Sequence, residues 1–419
     1  MSVATKFSTA LREQVKTWLQ NLGRLDILIG VPCYNNQMTI GHVVSVVGEG
    51  LAKYYPDLRS GILVSDGGSL DDTREWAEWS PIPDSVERMV AIYRGMPGKG
   101  TSFRAVFEAA AIAEPKACAV VDSDLQSIAP DWVKLLTGPI LEGEADYVTP
   151  YYTRHKYDGT ITNNIVYPMT RALYGLRVRQ PIGGDFGFSG RLGKLYASED
   201  VWDTDVARFG IDVWMTTTAI NEGFRILQTN LGAKVHDARD PAADLGPMFR
   251  QVISTLLYLM GKYESHWMAA ERSRPVEIRG KTESPAEASD VTVNLAKLRD
   301  EFTEGFGQFN GLYRQFLAHE NYSRLEEAAR AAKRGDSSHL DSELWAKILY
   351  DVAFVYQTWS RNRRRLVDTM TPLYFGRTAA YCEEVAEMDW EGAEAVVEAQ
   401  AEVFERLKGY LREKIEAWV

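Results

Sequence analysis

From Asp26 to about residue 240, short apolar runs alternate with segments whose apolar residues recur at helical spacing, and that alternation leaves few folds open. DILIGVP (26–32), GILVSD (61–66), MVAIYR (89–94) and ACAVVDSD (117–124) each read as a strand. After Thr39, the residues Ile40, Val43, Val44, Val47 and Leu51 fall three and four apart and share one helix face. Ser69 followed by Asp72 reads as the cap of the next helix, and a further helix follows Gly100. Strands that are apolar throughout must be covered on both faces, so the pattern predicts an α/β fold with a mostly parallel sheet between helices.

The pattern changes beyond that point. Residues 244–263 read as a helix, whereas 271–290 are polar, hold two prolines and show no apolar period, as a linker or exposed loop would. From Val291 to Val419 only helix-period segments follow. The expected organisation is an N-terminal helix (1–25), an α/β domain (26–265), a linker or loop (266–290) and an α-helical C-terminal subdomain (291–419). Leu344, Trp345, Ile348, Leu349, Val352, Phe354 and Val355 are too many for one helix face. A partner subunit is expected to cover part of them, giving a homo-oligomer, dimer or tetramer, with the tail at the interface.

Composition narrows the partners. With 47 Lys and Arg against 58 Asp and Glu the net charge is −11, which argues against nucleic acid and anionic membrane. Cys33, Cys118 and Cys382 lie too far apart for a zinc knuckle or a disulfide framework. The first twenty residues are amphipathic without an apolar signal core, and no run reaches the roughly 18 apolar residues of a membrane span. A cytoplasmic location is expected.

Carboxylates and one lysine then gather where such a sheet places its ligands. Asp122, Ser123 and Asp124 end the run ACAVV, and open α/β sheets bind at the carboxyl ends of their strands. Two carboxylates there can hold a hard divalent cation, Mg²⁺ or Mn²⁺, that in turn binds a diphosphate. Asp66 ends a second strand and leads into a glycine turn. Lys99 stands between two glycines ahead of a helix, where a cation and helix N–H groups face a phosphate or the polar face of a nucleotide. RGMPGKG lacks the Walker spacing, which argues against a P-loop. Asp185 lies in the glycine-dense QPIGGDFGFSG, Asp212 opens a helix-like run, and His236 follows LGAKV, where an imidazole suits the same cation as Asp124.

Taken in order, VPCYNN, ILVSDGGSLDDT, PGKG, VVDSDL, RQPIGGDFGFSG, RFGIDVW and NLGAKVHDARDPAADLGPMFRQ resemble the retaining glycosyltransferases of the GT-A fold. The resemblance covers about residues 26 to 260 and is closest to the enzymes that make glucosyl- or mannosylglycerate, solutes of the compatible class, and their phosphorylated forms. It implies a nucleotide-sugar donor such as UDP-glucose or GDP-mannose. It implies that Pro32, Tyr34, Asp66 and Lys99 hold the nucleoside, that Asp122 with Ser123 reaches the ribose, and that Asp124 and His236, with Asp122 beside them, hold the metal. It also implies that Asp185 binds the sugar and that Asp212 orients acceptor or sugar hydroxyls, with Lys99 stabilising the leaving diphosphate.

The acceptor is the less determined end. TRHKYDGTIT (153–162) is similar to the glycerate-binding stretch of the mannosylglycerate enzymes, which implies Arg154, Asp158 and Thr162 as acceptor ligands. Thr160 stands about where the phosphoglycerate enzymes carry an arginine for the acceptor phosphate. A small carboxylate is therefore expected, glycerate first, with phosphoglycerate or a larger glycan as alternatives. From other classes, a sugar nucleotidyltransferase lacks its expected glycine loop after Pro32, and a non-catalytic binding module would have little use for Lys99, Asp122, Asp124 and His236 together.

Overall fold

The structure is a computed structural model that describes residues 8–236, 246–359 and 362–418. The chain divides into two compact units and passes between them more than once. The first holds the residues up to 153 with 179–237 and 276–288; the second holds 154–178, 238–275 and 289–419.

Ten strands form among the described residues: β1 (Ile27–Cys33), β2 (Ser60–Asp66), β3 (Val86–Ile92), β4 (Ala117–Val120), β5 (Tyr147–Thr153), β6 (Leu176–Arg177), β7 (Phe186–Ser189), β8 (Ile226–Ala233), β9 (Arg274–Pro275) and β10 (Ile278–Lys281). Eight of them build the sheet of the first unit in the order β10-β8-β5-β7-β4-β1-β2-β3, while β6 and β9 make a small ladder in the second unit. Of these strands only β7 runs against its neighbours, and the remaining pairs are parallel. All seven residues of β1 and of β2 are buried, which is why both read as unbroken apolar runs.

The sheet is covered by α1 (Glu13–Leu22), α2 (Ile40–Tyr54), α3 (Thr73–Trp79), α4 (Lys99–Ala113), α5 (Asp131–Leu141), α7 (Gly190–Ser198) and α8 (Ile211–Asn221). Ile40, Val43, Val44, Val47 and Leu51 of α2 are each 0% exposed, as their spacing predicts. Burying a side chain of this size contributes about 1.5–3 kcal/mol, so α2 is held by packing more than by its own helix propensity. This α/β unit, with helices filling the C-terminal region, is the fold class that the resemblance to GT-A enzymes implies.

Two boundaries differ from the sequence reading. The polar stretch expected as a linker supplies β10, whose residues are mostly exposed and pair with the edge of β8. Asp131 fixes the following turn by accepting from the Thr282 hydroxyl (3.0 Å) and the Glu283 N–H (2.7 Å). An edge strand held by backbone bonds and one carboxylate needs no apolar run, so periodicity does not reveal it. Residues 154–178 and 246–262 belong to the helical unit rather than to the domain expected to end at 265.

That second unit is built from α6 (Tyr167–Tyr174), α9 (Gly246–Lys262), α10 (Glu264–Ala269), α11 (Leu295–Phe316), α12 (His319–Lys333), α13 (Ser342–Thr358), α14 (Arg363–Glu384) and α15 (Trp390–Glu416). Leu344, Trp345, Ile348, Leu349, Val352 and Val355 of α13 are at most 5% exposed, packed among α9, α12, α14 and α15. Apart from Phe354, which is half-buried, the apolar load that led to the expectation of a partner subunit is thus covered within the unit itself. Two buried charges here are paired: Arg171 meets Glu398 at 2.6 Å and Glu405 at 3.4 Å, and Asp351 takes the Tyr410 hydroxyl, the Asn321 amide and the Lys414 ammonium. All three cysteines are buried and free. Among the described residues no helix is long and apolar enough to cross a membrane.

Lys408 of α15 is 4% exposed and donates to the carbonyls of Leu173 (3.1 Å) and Ala270 (2.7 Å), which end α6 and α10. Burial first, and Arg412 second, push its ammonium down to about 7 from 10.5. Between those values the unfolded chain binds more protons than the folded one, so the cost of burying this charge is fully present below the lower value and is relieved as pH rises. From pH 7 to 9 the urea midpoint of the wild type should climb relative to that of Lys408→Met. A difference that does not change with pH would show that Lys408 keeps its proton in the folded state.

Candidate functional site

Topology brings the candidate residues of the first unit to one edge of its sheet. Pro32 and Tyr34 come at the C-terminal end of β1, Asp66 at that of β2, Asp122 to Asp124 just beyond β4, and His236 beyond β8. Because β7 is antiparallel, its N-terminal end lies at this same edge, and Asp185 immediately precedes it. Lys99 and Asp212 occupy the first turns of α4 and α8. Gly100 allows the approach of α4: a Cβ there would lie 1.8 Å from the Val206 carbonyl oxygen.

Asp122 is the centre of the cluster. Its Oδ1 lies 2.8 Å from Lys99 Nζ and its Oδ2 lies 2.8 Å from Lys234 Nζ. Burial alone would raise the Asp122 pKa, but Lys234 and Lys99 outweigh it and hold the carboxyl far below the usual range. Lys99 is reciprocally affected: burial disfavours its charge, yet Asp122 and Asp212 raise its pKa. Asp212 sits 3.4 Å from Lys99 through Oδ2, while its buried Oδ1 has no hydrogen-bond partner among the described residues. Burial raises the Asp212 pKa, and Lys99 opposes that rise.

Asp185, expected to bind the sugar, is 0% exposed. Its Oδ1 accepts the Asp122 N–H at 2.8 Å, and its Oδ2 takes Lys234 at 2.8 Å together with the Tyr152 hydroxyl. Asp66, expected to touch the nucleoside, is likewise 0% exposed and accepts from the Gly68 N–H (2.8 Å), the Ser69 N–H and the Ser69 hydroxyl. Both carboxylates therefore hold the loops that shape the edge. Tyr34 is 56% exposed and its ring lies over Gly67, where an added Cβ would be 3.1 Å away. Ser123 is buried and donates to Asn36 Oδ1 at 2.8 Å, which ties the β1 loop to the aspartate pair.

Asp124 stands apart from these pairings. It makes no hydrogen bond or ion pair among the described residues, and burial first, then the neighbouring Asp122 charge, raise its pKa. Lys234 first, then His236 and Lys99, lower it in opposition. A half-buried carboxylate with no counter-ion of its own beside an imidazole is a donor set that fits Mg²⁺ or Mn²⁺. Asp122, also expected near the metal, has both oxygens committed to ammonium groups. Among the described residues no group of three or more His, Cys, Asp or Glu is disposed to hold a metal, so a cation here would draw further oxygens from phosphate and water.

The residues expected at the acceptor belong to the second unit. Arg154 Nη1 donates to Asp158 Oδ2 at 3.0 Å, Asp158 Oδ1 accepts the Gly159 N–H at 2.7 Å, and Thr162 opens a wide π-type turn that runs to Val166. Thr160 is buried, with its hydroxyl 2.6 Å from that of Tyr374.

Lys234 and Tyr152 escaped the sequence reading. The available signal for Lys234 was its place in LGAKV: a lysine entering a buried run needs carboxylate partners. Tyr152 is hidden among three tyrosines in a strand-like run, which β propensity alone explains.

No protein-family profile matches the sequence. The chain is 28% identical over 267 residues to the glucosyl-3-phosphoglycerate synthase of Mycolicibacterium paratuberculosis, a match covering 56% of this chain and 72% of that one. It is 27% identical over 260 residues to the synthase of the same name from Mycobacterium tuberculosis, covering 56% and 74%. The crystal structure of the M. tuberculosis enzyme with Mg²⁺ and uridine diphosphate aligns at a TM-score of 0.46 and 28% identity, over 59% of this chain and 83% of that one. The chain resembles these synthases and is an enzyme of their class, a glycosyltransferase.

Gly184, at φ +91, packs directly on the cluster: a Cβ there would meet Asp122 Oδ2 at 2.2 Å and Lys234 Nζ at 2.9 Å. Gly223, at φ +74, has nothing within 4 Å. Both suffer the strain of a left-handed side chain on substitution, but only Gly184→Ala also overpacks, at about 1–3 kcal/mol more. Calorimetry should show Gly184→Ala melting well below Gly223→Ala. Equal melting points would mean that the ion pair shifts freely.

Proposed function

We propose that the chain transfers a hexose, glucose first, from a nucleoside diphosphate sugar to a small carboxylate acceptor of the glycerate class, with retention of anomeric configuration and in dependence on Mg²⁺ or Mn²⁺. The observation that carries this reading is Asp124, a carboxylate without a counter-ion, placed beside a lysine-clamped Asp122 at the carboxyl edge of the sheet. Sequence similarity to synthases named for glucosyl-3-phosphoglycerate supports glucose over mannose. The M. tuberculosis synthase crystallises with UDP, which makes UDP-glucose the first donor to try.

The residues divide the work as follows. Tyr34 offers an exposed ring to the base. Asp124 and His236 would hold the cation, which when bound neutralises charge on the departing diphosphate. Lys99, at the N-terminus of α4, adds a fixed positive charge and helix N–H groups for that same diphosphate. Asp212 keeps one buried oxygen available for a hydroxyl of sugar or acceptor. Arg154, steadied by Asp158, presents a guanidinium to the acceptor carboxylate, with Thr162 as a further donor.

Two acceptors compete. The relatives' names favour 3-phosphoglycerate. Thr160, buried with its hydroxyl against Tyr374, stands at about the position of the relatives' phosphate-binding arginine, and an uncharged residue there supports unphosphorylated glycerate. Incubation with UDP-glucose, Mn²⁺ and each acceptor in turn decides between them by the mass of the product, and NMR of that product reads its anomeric configuration.

With Mn²⁺ present, UDP should raise the melting temperature of the wild type by mass action. Asp124→Ala and His236→Ala should each remove the metal-dependent part of that rise and abolish transfer while leaving the ligand-free melting temperature nearly unchanged. Full transfer in excess chelator would remove the metal from the reaction. Arg154→Ala should lower kcat/KM for the acceptor by the equivalent of about 1.5–3 kcal/mol, the range of a charge-assisted hydrogen bond, and leave donor hydrolysis as it is. An unchanged acceptor dependence would place Arg154 outside the site.

A further inference from the structure

Lys234 is 4% exposed on its side chain, and its ammonium has three acceptors for its three N–H groups: Asp122 Oδ2, Asp185 Oδ2 and the Gly183 carbonyl, each at 2.8 Å. Lys99 is placed otherwise. Its side chain keeps 17% exposure, and it shares itself between Asp122 at 2.8 Å and Asp212 at 3.4 Å. One carboxylate thus has two counter-ions, one sealed behind it and one at the open side. Asp185 completes the sealed side, because it accepts the Asp122 backbone N–H while also bonding Lys234 and Tyr152.

We propose that Lys234 is a positioning residue that keeps Asp122 charge-compensated, so that Lys99 can leave Asp122 and engage the nucleotide; this rests on the nucleotide-sugar reading above. The physical ground is the cost of an unpaired buried charge. Were Lys99 the sole partner of Asp122, handing it to a ligand would strand that carboxylate, and the penalty would offset the attraction between the lysine and the phosphate. With Lys234 behind it, Asp122 remains paired throughout. Asp185 in this scheme orients Lys234 and the Asp122 backbone and does not touch the sugar.

The test is UDP affinity measured by calorimetry in EDTA, which isolates the lysines from any cation. Lys234→Met should weaken UDP binding about tenfold or more, and Lys234→Arg should restore most of it. The distinguishing variant removes both charges that Lys234 serves: Asp122→Asn with Asp185→Asn and Lys234→Met should bind UDP about as well as Asp122→Asn with Asp185→Asn alone, because neutral amides need no counter-ion. That comparison stands even where Lys234→Met alone does not fold. Wild-type affinity in Lys234→Met overturns the proposal. So does a triple variant as much weaker than Asp122→Asn with Asp185→Asn as Lys234→Met is than wild type, since Lys234 would then serve packing alone. A wild-type protein that binds no UDP or GDP, with or without Mn²⁺, would instead strike the nucleotide-sugar reading and this proposal with it.

Discussion

The first unit is organised around the placement of one ionised carboxylate, Asp122, at the buried edge of a sheet. Such a group is stable there only with opposite charge against it, and two lysines arrive from different parts of the chain, one at the start of α4 and one just past β8. Much of the local architecture serves these two arrivals. Gly100 lets the first turn of α4 press against the 206–208 segment, Gly184 leaves room where a Cβ would strike the ion pair, and Asp185 turns the incoming end of the antiparallel β7 back onto Lys234. Asp124, next to this clamped carboxylate, makes no ion pair among the described residues, and burial with the Asp122 charge raises its pKa.

The sequence revealed the parts of this arrangement that obey a period or a short spacing. Strands buried on both faces announce themselves as apolar runs, and helices such as α2 by intervals of three and four, because burial is what selects those residues. The aspartate pair, the lysine between glycines and the histidine after LGAKV were visible because polar groups at strand ends are conspicuous. Lys234 was not, because its partners lie 112 and 49 residues away and nothing local specifies them. Asp185 and Asp66 stood out as carboxylates at strand ends, but their bonds to Lys234, Tyr152 and the 68–69 loop did not, because residue type alone does not show which loop a carboxylate holds.

The same limit explains the domain boundaries. β10 is recruited by backbone hydrogen bonds to β8 and by Asp131, interactions to which any polar sequence has access. In the helical unit, the seven large apolar residues of α13 were weighed on a single helix, without the neighbours that cover most of them. Packed against five other helices, it buries most of its circumference, and an apolar surplus in one element becomes the centre of a bundle.

The pairing of Arg171 with Glu398 and Glu405 sets a schedule for the birth of this protein. Its carboxylate partners follow it by 227 and 234 residues. At about 5–20 residues per second a ribosome needs roughly 10–45 s to make that interval. Throughout it, a guanidinium destined for complete burial has no counter-ion, so α6 cannot settle into its final surroundings until α15 emerges. The helical unit therefore closes only once α15 has been made, with that helix acting as the latch.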